Sequence, residues 1–165
     1  MGIGRAWQRG SLLIRLSKLA DYGIVIMTTM AQRPGASHNA AEIAQVSRVP
    51  QPMASKILKA LARADLLKSR RGAQGGYLLA REPEAISVAE IIVALDGPIA
   101  LTACIEDGPG ECGLEALCPA RANWQRINDA IRGALDEIRL SEMVQTIPAA
   151  FDANAGPARA IAARS

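Results

Sequence analysis

The amino-acid sequence predicts a mainly α fold that carries one small β-hairpin and ends in a long helix. Three observations support this. Apolar residues recur at helical spacing in five segments, each opened by a capping residue or an N-terminal proline. One glycine-rich run, Arg70-Arg-Gly-Ala-Gln-Gly-Gly76, separates two short apolar stretches, the pattern of a hairpin tip. Near the C-terminus an apolar row spaced by three and four residues runs from Trp124 to Ile138.

Taken in order, Ser17 caps a helix to about Gln32, with Leu19, Tyr22, Gly23, Ile26, Thr29 and Met30 on one face. Arg33-Pro-Gly-Ala ends it. Asn39 caps a short helix from Ala40 to about Val46, with Glu42 at capping-box spacing. Ser47-Arg-Val-Pro50 makes a tight turn. Pro52 fits the first turn of a third helix, whose buried stripe is Met53, Ile57, Leu58 and Leu61, extending to Leu66. Two helices joined by so short a turn, the second basic and amphipathic, form a helix-turn-helix pattern.

Leu66 to Ser69 reads as a strand, Arg70 to Gly76 as the tip and Tyr77 to Ala80 as the return strand. A flexible cationic hairpin beside a basic helix suits a wing that probes DNA; the plainer alternative is an ordinary surface hairpin. Ser87-Val-Ala-Glu90 is a second capping box, opening a helix through Leu95 that stops at Gly97-Pro98. Pro119 starts a long helix to about Ser141. Its seam of Trp124, Ile127, Ile131, Ala134 and Ile138 reads as a dimerisation surface, the alternative being packing on its own domain. The fold class is therefore mainly α: a winged helix-turn-helix domain with a small β-hairpin wing and a long C-terminal dimerisation helix.

The expected organisation is an N-terminal extension at 1–13, a winged helix-turn-helix domain at 14–97, a cysteine loop at 98–118, the dimerisation helix at 119–145 and a disordered tail at 146–165. The first strongly patterned residue is Ile14, so the extension is consistent with a start codon placed too far upstream. The length of 165 residues suits one core-bearing domain. No stretch of 18 apolar residues and no secretory h-region is present in the sequence, so the expectation is a cytoplasmic protein with no membrane partner. The net charge of +3 is modest but unevenly spread. Seven Lys/Arg (Arg48, Lys56, Lys59, Arg63, Lys68, Arg70, Arg71) lie against one acid, Asp65, between positions 48 and 71. Such a block suits a polyanion, or is simply a solvated helix face.

All three cysteines, Cys104, Cys112 and Cys118, fall within fifteen residues. The stretch is Gly/Pro-broken and acidic (Glu106, Asp107, Glu111, Glu115), which makes a poor core. Three thiolates on a loop can hold a soft metal centre and leave one position for a further ligand. Structural zinc sites favour C-x2-4-C pairs, whereas the spacings here are seven and five. A metal-free thiol switch would use the same residues. The sole histidine, His38, reads as a solvated residue or a helix-entry hydrogen bonder. Ser/His/Asp patterns, a Walker loop and H-E-x-x-H are missing from the sequence, so no enzyme and no small-molecule substrate are expected.

From about Ile14 to Val144 the sequence resembles the IscR/NsrR-type winged helix-turn-helix iron–sulfur transcriptional regulators. The residues that carry the resemblance are Arg15-Leu-Ser-Lys-Leu-Ala-Asp-Tyr22, Arg71-Gly72 with Gly75-Gly-Tyr-Leu78, and Cys104/Cys112/Cys118. Asp21-Tyr-Gly23, Arg71 to Gly76 and Asn123-Trp-Gln-Arg-Ile-Asn128 are most similar to the subgroup that regulates SUF iron–sulfur assembly genes. The resemblance implies a homodimer on palindromic double-stranded promoter DNA, acting as a repressor, with an iron–sulfur cluster ([2Fe–2S] favoured over [4Fe–4S]) on the three cysteines. Arg121 stands where one branch of the family has a histidine ligand. Asp21, supplied by the partner subunit, matches the fourth ligand of another branch, and also reads simply as an acid in a first helical turn. Electron carrier or cluster scaffold is a further alternative, which leaves the basic helix unused.

For DNA, helix-turn-helix geometry brings Gln51, Met53, Ser55 and Lys56 nearest the base edges and Lys59 to phosphate. Met53 reads equally as core. Arg70 and Arg71 would reach phosphates or the minor groove from the wing.

Overall fold

Residues 16–72, 75–101 and 119–145 are described in the computed structural model. Helix α1 (Lys18–Ala31) starts as its cap predicts: Ser17 Oγ accepts from the Leu19 and Ala20 amides, each at 3.1 Å. The same hydroxyl donates to Asp96 Oδ1 at 2.5 Å, which fastens the start of α1 to the end of a later helix. Helix α2 (Ala40–Ser47) has the predicted capping box, with Asn39 Oδ1 accepting from Glu42 N–H and Glu42 Oε2 accepting from Asn39 N–H. Arg48 then turns the chain with a left-handed φ of 57°. Three residues after α2, helix α3 (Gln51–Arg63) begins.

Helix α3 ends in a Schellman motif centred on Asp65, whose φ is 56°. Leu66 N–H donates to the Leu61 carbonyl and Asp65 N–H to that of Ala62. Leu66 is buried, as expected, but it belongs to this terminating turn and not to the helical stripe. That moves the hairpin by a residue. Strand β1 (Leu67–Arg70) pairs antiparallel with β2 (Gly76–Leu79), in the register Leu67↔Leu79 through Arg70↔Gly76. Arg70 is thus the last residue of a strand and not part of the tip.

Helix α1 lies at the centre of the core. Its Ile26, Met27 and Met30 join Ile43 of α2, Ile57, Leu58 and Leu61 of α3, and Ile86 beyond the hairpin. Ala20 and Met27 are fully buried although they lie off the expected stripe, because α1 is covered from more than one side. A Cβ at Gly23 would run into the Leu95 side chain, so glycine permits the close approach of α1 to the helix that carries Leu95.

A 3-10 turn (Pro83–Ala85) leads to α4 (Val88–Asp96), opened by the Ser87/Glu90 capping box. Arg81 donates to Glu90 Oε1 at 2.6 Å and to the Ala85 carbonyl at 2.9 Å. Partial burial pushes the Glu90 carboxyl up, but the Ser87 amide and the Arg81 guanidinium outweigh it and hold the group below the usual glutamate value.

The expected single helix from Pro119 to Ser141 is two helices, α5 (Arg121–Glu137) and α6 (Leu140–Gln145). The break has a long-range cause. Ile138 accepts from Val88 N–H at 3.0 Å and Leu140 N–H donates to the Ile86 carbonyl at 2.9 Å, so 138–139 runs extended beside 86–88. Leu140 is then fully buried and α6 packs on α1. No helix among the described residues is long and apolar enough to cross a membrane. The readings of 1–13 as an extension, of Cys104, Cys112 and Cys118 as a loop and of 146–165 as a tail lie outside the described residues.

Candidate nucleic-acid interface

The amphipathic pattern of α3 divides its residues sharply. Ala54, Ile57, Leu58 and Leu61 are buried, while Gln51, Lys56, Lys59 and Arg63 are exposed and Ser55 is half-buried. Positions 51, 55, 59 and 63 are spaced by four, so they form one row along the outer face, about 18 Å long at 1.5 Å per residue. Met53 is half-buried and packs against the core, which leaves only part of its side chain for an outside partner. The first turn of α3 holds no acid, and Pro50 gives its amides no side-chain cap. Uncapped N–H donors and the positive pole of the helix dipole therefore meet no opposing acid at the N-terminus, while the cations Lys56, Lys59 and Arg63 follow along the helix.

The wing continues the basic surface. Lys68, Arg70 and Arg71 are exposed, and Gly75 N–H closes the tip on the Gly72 carbonyl at 2.8 Å. The tip-side end of β2 is fixed by a contact that the sequence pattern does not announce. His38 and Tyr77 exchange backbone hydrogen bonds of 2.9 and 2.8 Å, adding the loop between α1 and α2 to the edge of β2. Gly76 makes this possible, since a Cβ there would sit 2.5 Å from the His38 carbonyl oxygen. His38 is neither solvated nor a helix-entry bonder: it is half-buried, and its Nε2 is buried without a hydrogen-bond partner among the described residues. A lone histidine after a Pro-Gly turn carries no sequence signal for strand pairing.

Asp21 lies exposed in the first turn of α1. The three cysteines fall outside the described residues, so their mutual geometry is not part of the interface described. On α5, Trp124 is 40% exposed and Ile127 44%, and Ile138 just past its end is 38% exposed, although all three are large apolar residues. Asn128 is that helix's single buried residue, at 4% exposure, and its Oδ1 accepts from Leu101 N–H at 3.2 Å.

A protein-family model described as Rrf2, iron-dependent transcriptional regulator, matches residues 16–146. The chain belongs to the Rrf2 family. Among Rrf2 relatives it is 33% identical over 132 residues to the HTH-type transcriptional regulator CymR of Bacillus subtilis (strain 168), spanning 79% of this chain and 89% of CymR. The solved structure of that protein, titled the global cysteine regulator, superposes with a TM-score of 0.65 over 82% of this chain and 99% of its own. The Escherichia coli regulator IscR is 30% identical over 132 residues, 79% of this chain and 80% of IscR. T. potens IscR superposes with a TM-score of 0.61 at 30% identity, over 80% of this chain and 87% of its own. This Rrf2 chain is accordingly a DNA-binding transcriptional regulator with a winged-helix fold. Its relatives are regulators by name, in agreement with the expectation that it is not an enzyme.

Proposed function

We propose that this chain is a homodimeric repressor of iron–sulfur assembly (SUF) genes that binds palindromic promoter DNA and responds to an iron–sulfur cluster on Cys104, Cys112 and Cys118. One observation supports it above the others. Three thiols within fifteen residues accompany a basic helix-turn-helix, in a family described as iron-dependent. The donor set is chemically suited to such a cluster, because thiolates are soft ligands and the spacings of seven and five depart from those of structural zinc. The cluster, [2Fe–2S] ahead of [4Fe–4S], would supply an iron- and redox-responsive crosslink of that segment. Asp21 of the partner subunit is the first candidate for the remaining ligand position.

The protein's own side chains would do the rest. Gln51, Met53, Ser55 and Lys56 face base edges in the major groove, and Lys59 reaches phosphate. Arg70 and Arg71 hold the wing on phosphates or in the minor groove. The exposed seam of α5 pairs the two copies, so that two α3 helices meet two half-sites. The winged helix at 14–97, the cysteine loop at 98–118 and the dimer helix within 119–145 then act as reader, sensor and coupling element.

Anaerobic purification with a visible spectrum and iron and sulfide analysis tests the sensor. A coloured protein whose operator affinity changes on cluster removal is expected; a colourless protein that cannot be reconstituted overturns it. Replacing Arg71 with Ala should weaken operator binding by ~1–3 kcal/mol and lower its salt dependence. Unchanged affinity at fixed salt would remove the wing from the interface.

Identity of 33% to a protein titled the global cysteine regulator favours a second reading, a metal-free thiol switch. Two of the three thiols would form a disulfide, giving two protons and two electrons to an oxidant such as peroxide. Mass spectrometry of peroxide-treated, metal-free protein separates the two: the switch requires a reversible loss of two hydrogens coupled to operator release.

A further inference from the structure

We propose that Asn128 is a positioning residue that transmits the state of the cysteine segment to α5. The inference rests on the sensing reading above and adds to it the residue through which sensing reaches the helix. Asn128 lies on the same row as Trp124, Ile131 and Leu135, at spacings of four, three and seven residues. Leu135 packs on the small apolar cluster of Ala20, Val88 and Ile92, and Ile131 is half-buried, so from Asn128 onward this row faces the body of the chain, while Trp124 one turn earlier is exposed. An apolar side chain would fill the slot by the usual pattern. An amide stands there instead, 4% exposed, and its Oδ1 is spent on one backbone group, the Leu101 N–H at 3.2 Å.

Leu101 precedes Cys104 by three residues. The chain comes back from 102–118 at Pro119 and Ala120, and the Ala120 carbonyl accepts from Asn123 and Trp124 N–H to begin α5. Both ends of the thiol-bearing segment are therefore held on one helix, at its first turn and at Asn128. Asn128 lies seven helical steps beyond Arg121, about 10 Å along the axis. Exposed Trp124 and Ile127 occupy the same two turns. A constraint imposed on the thiols by ligation or oxidation is delivered to α5 at these two points, and one of them is a single hydrogen bond between a side chain and the main chain. Because a backbone donor is involved, only an acceptor at position 128 can hold it.

The test uses full-length protein in reduced metal-free and iron–sulfur-reconstituted forms, with operator affinity read by fluorescence anisotropy. Four proteins are compared: wild type, Asn128→Leu, Asn128→Asp and Leu101→Pro. Asn128→Leu fills the slot without an acceptor, Asn128→Asp retains an acceptor oxygen, and Leu101→Pro removes the donor from the other side. Expected is a ratio of affinities between the two forms of at least about fivefold in wild type. Asn128→Leu and Leu101→Pro should bring it close to one while the visible spectrum and iron content stay as in wild type. Asn128→Asp should restore it. Hydrogen exchange gives a second readout: the Leu101 amide should exchange slowly in wild type and at least tenfold faster in Asn128→Leu. A wild-type ratio that survives in both Asn128→Leu and Leu101→Pro overturns the inference and leaves the sensing reading intact. A wild-type ratio of one removes the sensing reading itself, and this inference with it.

Discussion

Helices α3 and α5 are both strongly amphipathic, yet the chain treats them in opposite ways. In α3, thirteen residues long, Ala54, Ile57, Leu58 and Leu61 are buried against α1 and α2, and the exposed face is cationic. In α5, seventeen residues long, only Asn128 is buried, and Trp124 and Ile127 stand exposed. The contrast shows that amphipathic spacing predicts a sticky face but not what covers it. The stripe of α3 is satisfied within the chain. That of α5 stays exposed within the chain, and the homodimer proposed above would cover it with a second copy.

Breaking the α5 face should have the largest effect. Trp124→Ala combined with Ile127→Asp should give a monomer in sedimentation velocity and reduce operator affinity about 10²–10⁴-fold as two-site engagement is lost. A dimer that persists at micromolar concentration would put the interface elsewhere. Leu61→Ala attacks the other side of the comparison. Leu61 is fully buried, so urea unfolding should show a loss of ~2–5 kcal/mol, whereas the paired α5 changes should scarcely alter the stability of the separated chain.

Glu90→Ala probes the joint between the two regions, since α4 lies between them. Loss of the capping box should cost about 1 kcal/mol at neutral pH. Because the native carboxyl lies below the usual value of 4.5, its contribution is complete above that pH and is lost as the pH falls through the lowered native value. The stability difference between wild type and Glu90→Ala, followed by urea midpoints across that range, should shrink in acid. Gly133→Ala gives the smallest change. A Cβ there meets nothing within 4 Å, and alanine should stabilise the helix by ~0.5–1 kcal/mol. A loss of stability confined to the dimer would mean that the partner approaches α5 closely at this residue.

Local signals were legible in the sequence. The caps at Ser17, Asn39 and Ser87 depend on neighbours within one turn and form as their residues predict, and the α3 stripe holds at Ile57, Leu58 and Leu61. Departures arise where distant backbone intervenes. The break after Glu137 needs the pairing of 138–139 with 86–88, some fifty residues away in sequence. The one-residue change in the hairpin comes from Asp65 adopting a left-handed conformation, which aspartate tolerates but does not announce. The basic face of α3 and the wing arginines were readable as charge. Asn128 was not, because asparagine on an amphipathic helix reads as part of the solvent side, and its partner is a main-chain amide 27 residues earlier.

The pairing of His38 with Tyr77 separates what can vary in the wing from what cannot. An isolated two-stranded ribbon is marginal in water, but here the tip-side end of β2 is held by a third segment packed against Gly76. Lengthening the tip between Arg71 and Gly75 leaves that anchorage untouched, and each doubling of a flexible loop adds only ~0.6 kcal/mol of closure entropy. The reach of the wing is therefore open to insertion and trial at little thermodynamic penalty. The residue at position 76 is closed to almost everything but glycine.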